Sequence, residues 1–386
     1  MSGQEHRVRR RVVDTPDRQS DRIETVQLLR AVAVIVVMLS HAGHELSSIY
    51  SGLGRSFHDP FLFGNCGVDL FFVISGFIMV HTAWNEFARP GAAGGFMMRR
   101  LIRILPLYWT ATTLMILVVI AIPGVVHTAT SDIGQWVASY LLVPYAREGD
   151  GLIRPVLGLG WSLEYEMFFY FNFAISLFLP RLYGLAFAGL VLPVTVMIAA
   201  GFSGTTIGKF LAHPVMLEFV AGLVLGVMYR TGIRITRATG VVLAIAAVLM
   251  IYATPVFGPE VDAMRHIHYG IPSLLLVSAA ALSEDDALAG VFRPGVLVGE
   301  ISYSAYLTHP FLVGAMGFAF AHSGLIDRIS PQAFAAIFVA VFLAAGIVLA
   351  WLVHSLFDEP VTRFLRRSYR RRASTWPVKP DGLVGH

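Results

Sequence analysis

Long apolar runs separated by short polar links fill the chain from residue 24 to residue 357. The runs fall near 24–43, 61–83, 101–122, 160–179, 183–201, 210–229, 238–256, 268–283, 296–320 and 333–357. Most come close to the roughly 20 residues a helix needs to cross about 30 Å of hydrocarbon. Apolarity all round a segment, rather than on one face, is the pattern of a helix surrounded by lipid or by other helices. The expected fold is therefore all-α: a polytopic membrane protein of about ten transmembrane helices. The eighth run is short. The stretch "WVASYLLVPY" is shorter still and reads as an amphipathic piece in the outer loop 123–159. One membrane domain, 24–360, lies between a basic N-terminal segment, 1–23, and a basic tail, 361–386, expected to be disordered.

Composition agrees with that pattern. Hydrophobic residues make up 56% of the chain and charged residues 14%, where a soluble globule carries about 25% charged. The basic residues orient the spans. With the N-terminus in the cytoplasm, alternation puts Arg7–Arg22, Arg89–Arg103, Arg181, Arg230–Arg237, Arg293 and Arg363–Lys379 inside, leaving few of the 29 Lys and Arg outside. This is the positive-inside bias, and it places both termini in the cytoplasm. Positive charge spread through short loops does not mark a nucleic-acid partner. The tail can touch anionic membrane lipids. The first run ends in "LSHAGHEL", which lacks a cleavage site, so it reads as a retained span and not a signal peptide. Cys66 is the single cysteine, so no intrachain disulfide forms.

Ionisable side chains in lipid are costly and so become candidates for function. Arg30 and His41 share the first run. Eleven residues at 100° each come to about 20° past three full turns, so both lie on one helix face, roughly 16 Å apart. The bland alternative is an arginine snorkelling to headgroups. Asp69, in "GVDLFFVISGF", lies one helix away and is expected near the depth of His41, where a carboxylate orients an imidazole. The small residues Ser75 and Gly76 follow it, and they permit close packing. "RRLIRILPLYW" clusters Arg99, Arg100 and Arg103 where a helix enters the membrane, either as an anion site or as plain anchoring. In "GWSLEYEMFFYF", Glu164 and Glu166 differ by about 200° around a helix, so they cannot share one cavity. "GEISYSAYLTHPFL" adds Ser302, Tyr303, Tyr306 and His309, and "FDEP" adds Glu359 beside the arginines. No Cys/His set has zinc spacing, so no metal is expected.

Together these stretches resemble the acyltransferase-3 family of integral membrane enzymes. The likeness runs from about residue 24 to 360. It is carried by the Arg-x10-His pair Arg30 and His41 and by "GVDLFFVISGF", "RRLIRILPLYW", "GWSLEYEMFFY", "LVGEISYSAYLTHPFL" and "FDEP" in the same order. The resemblance implies acyl transfer, usually acetyl, from acyl-CoA (acetyl-CoA) to a hydroxyl of a carbohydrate acceptor, without a metal. It favours His41 over His44 and Glu166 over Glu164. On this expectation the catalytic set is His41, Asp69, Glu166 and His309. The donor would be held by Arg30, Arg99, Arg100 and Arg103. Tyr303, Tyr306 and His309 are the candidates to stabilise the oxyanion. The wording is most similar to the branch that decorates exopolysaccharides or their lipid-linked precursors at a bacterial inner membrane. A macrolide-modifying branch and a glycan transporter or flippase are the competing readings. The transporter would need the same arginines, histidine and carboxylate without acyl-CoA.

Overall fold

A computed structural model of the chain describes residues 24–122, 132–147, 151–254, 264–284 and 293–374. The basic segment 1–23, part of the outer loop 123–159 and the end of the tail lie outside these residues. Fourteen helices account for most of the described chain. The first is α1 (Glu24–Gly52), followed after a 3-10 turn (Leu62–Asn65) by α2 (Cys66–Ala83) and then α3 (Ala92–Ala121). Next come α4 (Ile133–Leu141), α5 (Trp161–Ser176), α6 (Arg181–Ala200), α7 (Thr206–Leu211), α8 (Met216–Arg230) and α9 (Arg237–Ala253). A π-turn (His266–Gly270) leads into α10 (Ile271–Leu282), which α11 (Arg293–Glu300), α12 (Ser302–Ala321) and α13 (Pro331–Val353) follow. A second π-turn (His354–Asp358) joins α13 to α14 (Glu359–Ser374).

All ten apolar runs fall on helix. Six helical segments are long and apolar enough to cross a membrane: Glu24–Gly52, Leu62–Ala83, Ala92–Ala121, Arg181–Ala200, Thr206–Arg230 and Pro331–Arg371. Two shorter apolar helices are Arg237–Ala253 and His266–Leu282. The other two runs carry the polar residues of interest. Helix α5 holds Glu164 and Glu166 within 16 residues, and α12 holds Ser302, Ser304, Thr308 and His309. "WVASYLLVPY" contributes α4, whose first turn is capped by Asp132 accepting from the Gly134 N–H at 2.8 Å.

The tail differs from expectation. Residues 361–374, read as disordered, continue as α14. Val361, Leu365 and Tyr369 recur at helical spacing, and α14 packs along α3. A packed apolar stripe supplies the stability that the run of arginines obscured.

Helices α1 and α2 form the axis. Helix α1 meets α2, α10, α11, α12 and α13, while α2 packs chiefly on α8. In the 62–83 span 78% of the apolar window is buried, against 22% in α6, so α6 faces lipid and α2 does not. The α2–α8 contact needs glycine. A Cβ on Gly76 would meet the Phe219 carbonyl and the Gly222 Cα; one on Gly222 would meet the Val73 carbonyl and the Gly76 Cα. With Gly226 against Val80 further on, both chains advance together, so α2 and α8 run parallel. The expected close packing at Gly76 is thus present, with Gly222 as the partner.

Replacing Gly222 by Val should cost about 3 kcal/mol or more through overpacking. Replacing Gly189, which sits in open space on α6, by Ala should be neutral or stabilise by up to about 1 kcal/mol. Thermal unfolding of the two variants in detergent reads the contrast.

Candidate active site

Helices α1, α2, α3, α5 and α12 enclose a cavity of about 180 Å3. One end carries Arg30 from α1 and Arg100 and Arg103 from α3. The three are not equivalent. Arg103 Nη1 donates to Asp358 Oδ2 at 2.6 Å, and its guanidinium lies 4.9 Å from the Tyr303 ring centre. The same Asp358 oxygen accepts from Ser304 Oγ at 3.3 Å and meets His354 Nδ1 at 3.2 Å. Arg100 rests on the rings of Phe96 and Tyr170, at 5.5 and 5.4 Å, and among the described residues no carboxylate is paired with it. Arg30 Nη1 donates to Gln27 at 3.3 Å, and its side chain lines the cavity.

The middle of the cavity holds Glu166. Its Oε1 accepts from Ser75 Oγ at 2.9 Å and from the Tyr170 hydroxyl. Tyr170 is four residues on, so the pair shares one face of α5. The far end is closed by Ser162 and Tyr306, whose hydroxyls lie 2.8 Å apart and both reach the Leu159 carbonyl at 3.1 Å.

Past Tyr306 stand two histidines that do not line the cavity. The His309 ring is 6.1 Å from Tyr306, and His41 meets His309 edge to face at 4.7 Å. His41 Nδ1 is 2.9 Å from the Val37 carbonyl and His309 Nδ1 is 3.1 Å from the Ala305 carbonyl. A carbonyl only accepts, so each Nδ1 carries the hydrogen and each Nε2 presents a lone pair. His309 Nε2 is buried without a hydrogen-bond partner. Two acceptors cannot bond to each other, so the pair is arranged to receive a proton.

Four expectations change here. Asp69 does not orient His41. Helix α2 begins lower than expected, because Gly67 sits against Ala33 and Val37 of α1. Asp69 is instead held by Arg265, whose Nε and Nη2 donate to its two oxygens at 2.9 and 2.6 Å. Glu166 is a cavity residue, bonded to Ser75 and Tyr170 rather than to His41. Arg99 leaves the cavity for Glu86, at 2.5 Å, although it shares a helix face with Arg103. Arg100, one position round, lines the cavity in its place. The two tyrosines offered as oxyanion donors are committed elsewhere, Tyr303 to the Ile104 carbonyl at 2.7 Å and Tyr306 as above. Glu164 and Glu166 do point apart: Glu164 is buried, with Oε2 lacking a hydrogen bond, and it does not line the cavity.

Several partners went unread in the sequence. Tyr170 was visible as the residue one turn after Glu166. Asp358, beside the quoted Glu359, is the group that pairs with Arg103, while Glu359 pairs with Arg363 at 3.4 Å. Glu218, a lone acid in an apolar run, carried the same signal as Asp69; it lies buried beside Asp69 and Arg265. Arg265, which caps the π-turn leading into α10, gave no sign of this role in the sequence.

The family model described as an acyltransferase domain matches residues 23–354. Exopolysaccharide production protein ExoZ of Rhizobium meliloti (strain 1021) is 32% identical over 326 residues, 84% of this chain and 95% of that protein. Acyltransferase MdmB of Streptomyces mycarofaciens is 26% identical over 385 residues, 92% of this chain and 95% of that protein. Nodulation protein 10 of Rhizobium leguminosarum bv. viciae is 27% identical over 162 residues, 39% of this chain and 43% of that protein. No solved structure matches the chain.

Replacing Arg265 by Met should cost about 3–5 kcal/mol, since two buried carboxyl groups lose their shared cation. A fall in the thermal midpoint of the purified variant, restored in part by a further Glu218→Gln change, is the expected result.

Proposed function

The chain belongs to the acyltransferase-3 family, and from that premise we infer that it moves an acyl group, acetyl in the simplest case, from acyl-CoA to a hydroxyl of an exported polysaccharide. It is an acyltransferase and an integral membrane protein. The observation that carries the finer reading is a cationic cavity with, behind its Ser162–Tyr306 end, two histidines whose Nδ1 atoms face backbone carbonyls and leave Nε2 as the acceptor. The likeness to an exopolysaccharide production protein is the reason to choose a carbohydrate acceptor over a small molecule.

An anionic donor fits the cavity end where Arg100 has no carboxylate and Arg30 stands one helix away. Arg103 assists, at the cost of its bond to Asp358. The acceptor hydroxyl meets His41, which takes its proton at Nε2 as general base. The acceptor oxygen attacks the thioester carbonyl, the carbon–sulfur bond breaks, and the proton returns to the departing thiolate. His309 accepts from the imidazolium that His41 becomes, and so stabilises it. Glu166, with Ser75 and Tyr170, faces the donor. A transient acyl group on His41 Nε2 is the alternative order of the same steps.

The full arrangement in this reading has ten spans with both termini in the cytoplasm of a bacterial inner membrane. The parallel course of α2 and α8 supports it, since strict alternation gives the second and sixth spans one direction. Arg99, Arg181 and Arg230 then share the inner face.

Membranes containing the protein, acetyl-CoA labelled in the acetyl group and a cell-surface glycan fraction test the reading. Wild type should release CoA thiol and label the glycan. His41→Ala should lower that rate by about 100- to 10,000-fold with the protein still folded. Thiol release with label in a small hydroxylated molecule would move the acceptor, and unmodified glycan crossing the membrane without thiol would leave a transporter. Arg100→Gln should raise the donor KM roughly 10- to 100-fold, the loss of a charge-assisted bond. Arg99→Gln, whose partner is Glu86, should leave it within about twofold; equal effects would remove Arg100 from its place at the donor.

A further inference from the structure

Away from the cavity, a second set of arginines stands without counter-charge. Trp84 lies just past the end of α2. The guanidinium of Arg181, at the start of α6, is 4.4 Å from its ring centre, and that of Arg230, at the end of α8, is 5.5 Å from the same centre. Two cations are thus brought to one indole. Their separation is inside the Debye length of about 10 Å at 0.1 M salt, so they repel each other. Neither has an ion-pair partner among the described residues. The neighbours are committed: Glu86 accepts from Arg99, and Arg234 donates to the Tyr229 and Ile233 carbonyls at 3.0 and 2.9 Å.

Cation–π contact is worth about 0.5–1 kcal/mol at an exposed site. That compensates for holding one arginine better than for crowding two. An anion within reach of both offsets the repulsion. The surroundings select its kind. Arg181 is exposed, and beside it Phe178, Leu182 and Tyr183 are exposed at 73, 75 and 66%. Such side chains on a membrane protein face acyl chains. A phosphate here with apolar surface alongside is the outline of a phospholipid and not of a free ion. The ring is already in contact with two cations and is not open to a choline ammonium, so the headgroup should carry net negative charge.

We propose that Arg181 and Arg230, seated on Trp84, form a binding site for the phosphodiester headgroup of an anionic phospholipid at the arginine-bearing face of the bundle. The site is separate from the donor cavity and does not rest on the acyl-transfer reading.

Native mass spectrometry of the detergent-purified full chain, offered equal amounts of phosphatidylglycerol and phosphatidylcholine, tests it. Wild type should retain phosphatidylglycerol with roughly 30-fold preference, from two arginines at the surface. Arg181→Gln with Arg230→Gln should bring the preference to near unity. Arg363→Gln, a tail arginine paired with Glu359, should keep it. If the double variant does not elute as folded protein, Arg181→Gln alone should lower the preference roughly fivefold. No preference in wild type, or the same preference in the double variant, overturns the proposal. So does full competition by millimolar inorganic phosphate, which would make this a site for the free anion.

Discussion

A charge placed in hydrocarbon must find an opposite charge or a set of hydrogen bonds, and this constraint sorts the ionisable residues of the bundle into two groups. One group is satisfied within the protein. Asp69 takes both arms of Arg265, and Asp358 gathers Arg103, Ser304 and His354. These links tie α2 to the segment before α10, and α3 and α12 to the turn before α14. Removing one member leaves the other stranded, which is why such pairs are structural. The second group is left incomplete. Arg100 has rings but no carboxylate, and His309 has a buried nitrogen with no donor. Of the groups left incomplete, these are the ones that the proposed acyl transfer would use.

The two incomplete sets are in different compartments. The arginines, Glu166 and Tyr170 surround the cavity, while His41 and His309 stand behind the hydroxyl pair of Tyr306 and Ser162. In the proposed reaction, a thioester bound among the arginines would meet Tyr306 before it met an imidazole.

Much of this was legible in the chain. All ten apolar runs became helix, because apolarity on every side leaves a segment no other way to satisfy its backbone in lipid. Arg30, His41, Glu166, His309 and Arg100 were among the candidates because an ionisable group is expensive in the membrane, and the family resemblance then chose His41 over His44 and Glu166 over Glu164. The assignments that moved are assignments of partners. Asp69 was matched to His41 by an assumed depth, but the start of α2 depends on how closely Gly64 and Gly67 approach α1. Arg99 and Arg103 share a helix face, yet Glu86 draws one outward and Asp358 draws the other inward. Cost is a property of one residue and can be read in one dimension. The group that answers it lies as far away as Arg265 does from Asp69, and only packing brings the two together.

The π-turn at His354–Asp358 ties the end of the chain to the cavity. Asp358 sits in it with 2% exposure, and α14 begins at the next residue. An anion that engages Arg103 competes with Asp358 for the same guanidinium. Binding linkage is reciprocal. To the extent that the docking of α14 depends on the Arg103–Asp358 pair, an anion bound at Arg103 would weaken that docking, and a loosened α14 would strengthen the anion's hold by the same factor.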